Sequence, residues 1–293
     1  MKISVATGYA HLAQRQFARY LKAALRFPVE IQGKKYLKHL VNASNCSLRI
    51  DECAGWTRFD VREYPELKDE YIKIRKLAEK WLSEAESRRS DGFPINLMLS
   101  SDLLEHPDIL KFALHNEFFI PASIYLGQVP RLTELALWWS PKNENISGSQ
   151  KFHYDHRDTR QMKIFLNLNN ICEDSGPLCF LPADVSSWFN SKIGYNQIKN
   201  EDDVVYSVCT RDALIKNTGE AGTGIMVDTS RCLHYGSRQN KKDRLILMIS
   251  YVRPNCIKAK KSSRALNSLR YELAEKLFAN DPVRKYALTV QAI

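Results

Sequence analysis

Apolar residues recur along the chain with two spacings, one typical of helices and one typical of strands. Between Glu66 and Ser87 their period is near 3.6 residues, which predicts an amphipathic helix with one buried face. The same spacing predicts helices over Ala10–Leu25, from His106 to about Asn116, and over Arg264–Phe278. Short apolar runs bounded by turn residues predict strands at Leu135–Trp139, Met162–Leu168, Leu178–Leu181, Gly224–Val227 and Leu245–Val252.

Weaker patterns lie between these elements. They predict a short helix at Tyr36–Val41 and strands at Ser47–Ile50, Trp56–Val61, Ile95–Leu99, Val204–Val208 and Ala213–Lys216. No regular element is predicted for the connection from Pro182 to Asp203. Long connections in compact domains are usually functional or disordered, and Trp188 favours an ordered lid or substrate wall here.

The first chemically informative pattern is a pair of metal-ligand residue types, His153 and Asp155. In an extended segment, residues i and i+2 point to the same side, so both side chains can reach one ion. Such a pair also occurs by chance on protein surfaces. The metal-site interpretation is strengthened by His234, which follows a predicted strand and turn. Two histidines and one carboxylate form the facial triad of non-haem Fe(II) oxygenases.

Arg244 stands ten positions after His234, at the entrance to a predicted buried strand. An unpaired buried charge is costly, so we expect an anionic partner for this guanidinium. A carboxylate can accept two parallel hydrogen bonds from it. The position therefore predicts that Arg244 binds a carboxylate of a co-substrate.

The order of these features resembles the Fe(II)/2-oxoglutarate dioxygenases and, among them, the phytanoyl-CoA dioxygenase family. The resemblance covers roughly residues 105–255. Its segments are Tyr125–Pro130, Leu137–Ser140, Gln150–Asp155, Lys163–Leu166, Ser175–Leu178 and Asp228 through His234 to Arg244.

Two consecutive triplets compete for the role of the first ligand pair: His153-Tyr154-Asp155 and His156-Arg157-Asp158. The family usually has a glutamine shortly before the histidine and a Lys-x-Phe strand ten positions after it. Gln150 and Lys163 have this spacing from His153, and they do not have it from His156. The resemblance therefore favours the first triplet. It leaves the second in the loop that follows, near substrate or only solvated.

The resemblance implies a mainly β fold with flanking helices, a double-stranded β-helix (jelly-roll or cupin-like) barrel buttressed by those helices. We expect a single domain over residues 1–293. Helical support would occupy about 1–120, the barrel core about 121–255 and a C-terminal helix about 262–279.

The resemblance also implies Fe(II) bound by His153, Asp155 and His234, with 2-oxoglutarate and O2 as co-substrates. The expected reaction hydroxylates an unactivated C–H bond of a small molecule and releases succinate and CO2. Desaturation or ring closure uses the same site. The carboxylate of Asp155 favours hydroxylation, because related halogenating enzymes have a small residue in its place.

Lys163, Phe165 and Asn167 alternate onto one face of the strand after the ligands. The resemblance implies that Phe165 lies where the family often has an aromatic residue beside the co-substrate, and from this face Lys163 or Asn167 could reach a carboxylate. A structural role is an equally good hypothesis for Lys163 and Asn167. The family frequently has a serine soon after the second histidine. In this chain the position that corresponds to the family serine is Gly236 or Ser237, and we take Ser237 as the candidate.

The net charge of +10 allows anionic partners, but Lys and Arg are scattered along the chain, which favours a solvated basic surface. We therefore expect a small-molecule substrate, anionic or carrier-linked, rather than nucleic acid. The 7 cysteines include no C-x-x-C pair, which favours free thiols in a reducing compartment. With no secretory signal or membrane-length apolar stretch in this sequence, we expect a cytoplasmic protein.

Two other functions remain as alternatives to a small-molecule hydroxylase. One is an oxygenase of the same chemistry that acts on nucleic acid, which the net charge of +10 suggests. The other is a non-catalytic homologue that binds metal and 2-oxoglutarate as a binding or scaffold protein; the complete ligand set argues against it. The helix predicted at Arg264–Phe278 is expected to pack on the barrel or to form a homodimer.

Overall fold

The computed structural model describes residues 27–42, 46–88, 92–99, 101–194, 199–256 and 264–290. For residues 264–268 it describes the backbone alone. The helix predicted at Ala10–Leu25 lies outside these ranges.

Eleven strands in the described ranges form two antiparallel sheets. The larger sheet has six strands in the order β1-β9-β5-β11-β3-β2. Their bounds are β1 Trp56–Asp60, β2 Ile95–Asn96, β3 Arg131–Ser140, β5 Gln161–Asn167, β9 Thr223–Asp228 and β11 Arg244–Val252. The smaller sheet has five short strands in the order β7-β4-β10-β6-β8. Their bounds are β4 Phe152–His153, β6 Cys179–Phe180, β7 Lys199–Asn200, β8 Ile215–Lys216 and β10 His234–Tyr235.

Helices surround these sheets. Residues 27–42 are helical and form α1. The other helices are α2 Pro65–Ser83, α3 Ala85–Arg88, α4 Asp102–Glu105, α5 Asp108–Ala113, α6 Asn116–Leu126, α7 Ala183–Ile193, α8 Asp202–Tyr206, α9 Arg264–Phe278 and α10 Pro282–Thr289. No helix in the described ranges is both long and apolar enough to cross a lipid bilayer.

The residue pattern of β11 shows how the two sides of the large sheet differ. All nine of its residues are buried, and successive side chains point to opposite faces. One set, Leu245, Leu247, Ile249 and Tyr251, joins the core shared with the helices. Ile246 and Met248 join a second core shared with residues of the small sheet. The large sheet is therefore covered on both faces, and Arg244 begins the strand at one end of it.

Several sequence predictions match the observed elements. Glu66–Ser87 corresponds to α2 and α3, and Arg264–Phe278 is α9. The strands expected in the second half correspond to β3, β5, β6, β9 and β11, with shifts of one to a few residues at their ends. Two antiparallel sheets with flanking helices confirm the coarse fold prediction.

Other predictions are wrong. The connection from Pro182 to Asp203 is not irregular, since it contains α7, β7 and the start of α8. The strand predicted at Val204–Val208 is helical over its first three residues, and Ser47–Ile50 forms no strand. The sequence prediction also missed α6, whose residues are nearly all buried. A helix that is apolar on every side shows no 3.6-residue alternation.

Candidate functional site

The two histidines of the candidate triad lie side by side on adjacent strands of the small sheet. His153 on β4 pairs directly with His234 on β10, and their ring centroids lie 4.2 Å apart. Asp155 follows β4 by two residues, and its backbone N–H donates to Thr229 O at 2.9 Å. One ligand atom from each of the three side chains lies within 4.8 Å of the others. This is the one group of its kind among the residues the structure describes.

The backbone around each histidine favours the ring nitrogen that binds metals. His153 Nδ1 lies 2.9 Å from Lys151 O, and His234 Nδ1 lies 2.9 Å from Cys232 O. A carbonyl only accepts, so each Nδ1 must carry the proton. Each Nε2 is then left unprotonated, with a lone pair for a cation.

Burial and charge keep all three groups in the form that binds a cation. Burial, together with the neighbouring His153, lowers the pKa of His234 to about 3. Burial also lowers the pKa of His153. Burial would raise the pKa of the Asp155 carboxyl, but Lys163 and His234 outweigh this effect and hold that pKa below its ordinary value. Two neutral imidazoles and a carboxylate are a donor set that fits Fe(II).

A cavity opens directly beside the triad, with about 660 Å³ of empty space that extends into open solvent. Its lining consists of Pro94, Glu134, Trp138, Ser149, His153, Lys163, Phe165, Leu178, His234, Gly236, Ser237, Arg244, Ile246 and Met248.

Arg244 is the buried cation of this cavity. Its side chain is 5% exposed, and its Nη1 donates to Gly176 O at 3.1 Å and Ser237 Oγ at 2.6 Å. Within the described ranges no carboxylate lies within 4.0 Å of it. Burial lowers its pKa from 12.5 to about 10, which leaves the guanidinium charged at neutral pH. The site therefore lacks the negative charge that normally accompanies a buried arginine, and a ligand carboxylate would supply it.

Ser237 contacts Arg244 and helps to hold its guanidinium in place. Its Oγ also lies 2.8 Å from Ser140 Oγ. Its backbone has φ of 59°, a left-handed conformation that is uncommon for a non-glycine residue. Gln150 Nε2 donates to its carbonyl at 2.7 Å, which fixes this turn. A Cβ at Gly236 would lie 3.2 Å from Arg244 Nη1, so the small residue leaves room for the guanidinium.

The second triplet lies outside the cluster. Asp158 accepts two hydrogen bonds of 2.6 Å from Arg253, and its side chain is almost wholly buried in that ion pair. His156 is not among the grouped ligand residues. The described residues therefore bring together His153 and Asp155, the pair that the resemblance favours.

The three residues expected along β5 have different surroundings. Lys163 lines the cavity and forms a 2.8 Å ion pair with Asp155. Phe165 lines the cavity as well. Asn167 does not, because its Nδ2 donates to Thr223 Oγ1 and its Oδ1 accepts from Asn217. The structure therefore gives Asn167 partners away from the candidate co-substrate site.

Sequence reasoning missed several lining residues of the cavity, among them Glu134 and Trp138 of β3, Met248 of β11, Pro94 and Ser149. Strand alternation would have found some of them, because Glu134 and Trp138 share one face of β3. The expected wall at Trp188 is absent from the lining. Trp188 lies on α7, is 54% exposed, and stacks against Lys192.

No family model matches the chain, and no curated protein matches its sequence. Solved structures with a similar course of the chain include EctD from S. alaskensis with bound Fe, at 13% identity, covering 71% of this chain and 76% of that one, with a TM-score of 0.49. They include the non-heme alpha ketoglutarate dependent carbocyclase SnoK from nogalamycin biosynthesis, at 13% identity, 74% and 86% coverage and a TM-score of 0.48. They also include HygX from Streptomyces hygroscopicus with nickel and 2-oxoglutarate, at 14% identity, 69% and 84% coverage and a TM-score of 0.45. At these values the similarity carries no inference about the activity of this chain.

Proposed function

We propose that this chain is an Fe(II)- and 2-oxoglutarate-dependent oxygenase of the phytanoyl-CoA dioxygenase family that hydroxylates a small molecule. The observation that carries the proposal is the position of Arg244. A buried guanidinium without a carboxylate partner in the described ranges opens into the same cavity as a His–Asp–His triad. A small dianion that chelates metal at one end and presents a carboxylate at the other satisfies both features.

In this proposal, His153, Asp155 and His234 hold the iron through two imidazole nitrogens and a carboxylate oxygen. Arg244 binds the far carboxylate of 2-oxoglutarate, with Ser237 fixing the guanidinium. Bound iron and 2-oxoglutarate supply the oxidation of a C–H bond by O2, with release of succinate and CO2. We further propose that the two sheets are the halves of a double-stranded β-helix within a single domain.

The remaining lining residues contribute shape and exclusion of water. Trp138, Ile246 and Met248 make one wall apolar, which suits the hydrocarbon part of a substrate. The burial of Arg244 strengthens its electrostatic contact with a carboxylate.

The test uses purified protein with Fe(II) and 2-oxoglutarate under anaerobic conditions. A chelated keto acid on Fe(II) gives a weak visible charge-transfer band, which we expect in the wild type and not in His153→Ala or His234→Ala. His156→Ala is the matched control, because this histidine neighbours the triad without belonging to it. If His156→Ala removes the band and His153→Ala keeps it, the ligand assignment is wrong.

Admission of O2 tests catalysis without a known substrate. We expect slow iron-dependent formation of succinate by the wild type and much less by Asp155→Ala. Absence of succinate from protein that has bound both iron and 2-oxoglutarate would favour a binding protein over an enzyme.

A further inference from the structure

Lys163 lies beside the triad without a role in the chemistry assigned above. Its side chain is 13% exposed, and its Nζ lies 2.8 Å from Asp155 Oδ2. The same carboxylate oxygen lies 4.0 Å from His234 Nε2. The ammonium therefore contacts the oxygen that faces the imidazole ligands.

The backbone fixes the two partners of this ion pair to different degrees. Lys163 lies within β5, paired on one side with Val227 of β9 and on the other with Ser250 of β11. Asp155 follows the two-residue strand β4, in the connection to β5. The ion pair therefore ties a carboxylate in a connecting segment to an interior strand of the six-stranded sheet.

Stability alone is a weak explanation for this contact. Removing two charges from water costs free energy that offsets much of their attraction. Side chains that bond to metal ligands from outside, by contrast, fix the orientation of those ligands, and their loss typically costs 10–100-fold in metal affinity or activity. Lys163 can restrict Asp155 in the same way although it lines the cavity and contacts the oxygen that faces His234, because its backbone is held by two neighbouring strands.

We propose that Lys163 is a positioning residue that holds the Asp155 carboxylate toward His153 and His234, in the orientation that binds the metal. The inference rests on the proposed function, in which these three side chains hold the ion. An ammonium here has two opposed effects: it repels a divalent cation, and it restricts the carboxylate to one orientation. Positioning requires the second effect to dominate, so loss of the lysine lowers metal affinity.

Calorimetric titration with Mn(II), in the absence of co-substrate and O2, separates these effects by sign. We expect Lys163→Met, which keeps the length of the side chain without its charge, to bind Mn(II) roughly 10–100-fold more weakly than the wild type. Lys163→Arg keeps a charged donor and is expected to recover part of the loss. The matched control is Lys216→Met, which removes a lysine that pairs with Glu173 at 2.7 Å and does not line the cavity; its Mn(II) affinity stays unchanged.

Equal or tighter Mn(II) binding by Lys163→Met overturns the proposal, because the ammonium then acts only as a repelling charge or a structural partner. Unchanged Mn(II) affinity with weaker 2-oxoglutarate binding at saturating Mn(II) also overturns it and assigns Lys163 to the co-substrate. If circular dichroism shows that Lys163→Met is unfolded, Lys163→Gln carries the same expectation. A wild type whose Mn(II) binding is absent, or insensitive to His153→Ala, contradicts the proposed function itself.

Discussion

At the scale of single residues, Arg244 is the proposed binding group for the co-substrate carboxylate. Its Nη1 donates to Gly176 O and Ser237 Oγ, and within the described ranges its other nitrogens have no hydrogen bond and could bind a ligand. A guanidinium presents two parallel donors to a carboxylate, whereas an ammonium is a point charge on a flexible stem. The identity of this residue, beyond its charge, should therefore matter for co-substrate binding.

We expect Arg244→Lys to weaken 2-oxoglutarate binding by about 1–3 kcal/mol, the range for loss of a charge-assisted hydrogen bond. Calorimetry with Mn(II)-loaded protein measures the effect. Arg160→Lys is the control, because Arg160 pairs with Glu52 at 2.9 Å and does not line the cavity. Equal affinity in wild type and Arg244→Lys would leave Arg244 with a structural role only.

At the scale of elements, Asp228 joins three parts of the fold at the end of β9. Its carboxylate accepts hydrogen bonds from Tyr125 Oη of α6 at 2.9 Å, from Gln161 N of β5 at 3.1 Å and from Ser230 N at 3.0 Å. Burial, which outweighs these hydrogen bonds, raises its pKa from 3.8 to about 6. Helix α6 and the strands behind the triad are therefore linked through one titratable group.

The raised pKa predicts a pH dependence of stability. Between pH 3.8 and about 6 the folded chain holds this proton while the unfolded chain releases it. The contribution of Asp228 to the free energy of unfolding is therefore complete below this window and falls as the pH rises through it. We expect the stability of Asp228→Asn, which cannot ionise, to rise relative to that of the wild type between pH 3.8 and about 6, and the difference to stay constant at higher pH. Urea unfolding of both proteins at each pH measures the difference, and the opposite trend would contradict the assignment.

Helix α7 replaces the irregular substrate wall that the sequence predicted. Its buried residues Ala183, Ser186 and Phe189 face the protein, and Trp188 points away from them into solvent. Trp138 of β3, not Trp188, is the tryptophan that lines the cavity.

We accordingly expect Trp188→Ala to leave Mn(II) and 2-oxoglutarate affinities unchanged, and to alter the free energy of unfolding by no more than about 0.5 kcal/mol, as for most surface substitutions. Calorimetry and urea unfolding check the two parts. A large loss of co-substrate affinity in this variant would contradict this prediction and indicate that α7 contributes to the site.

The site depends on the whole molecule, because its groups come from distant parts of the sequence. His153 lies on β4, His234 on β10 and Arg244 on β11, and only the folded chain brings them to one cavity. A metal bound at the triad therefore binds the folded state in preference to the unfolded state, and must stabilise it.

We expect Mn(II) at 100 times its dissociation constant to raise the free energy of unfolding by about 2.7 kcal/mol. His234→Ala should remove this stabilisation. His39→Ala, which changes an exposed histidine of α1, should retain it. The measurement is denaturant unfolding with and without the metal, and equal stabilisation of all three proteins would indicate nonspecific binding.

Local patterns in the sequence determined the elements and residue types whose causes are local. Helix α2 follows from its apolar stripe, and β9 and β11 follow from short apolar runs beside turns. The spacing of His153 and Asp155 is also local, because two residues along an extended chain bring side chains to one face. The ligand types could therefore be proposed from the sequence before any tertiary contact was known.

Only the tertiary structure decided which of these residues meet. Asp158 is separated from the triad by its pairing with Arg253, and a contact across 95 residues leaves no periodic signal in the sequence. Helix α6 was missed because burial on every side removes the alternation that marks an amphipathic helix. The wall of Glu134 and Trp138, and the contact of Lys163 with Asp155, arise where β3 and β5 face the small sheet. Their partners are set by sheet packing, and a single sequence does not encode that packing as a local pattern.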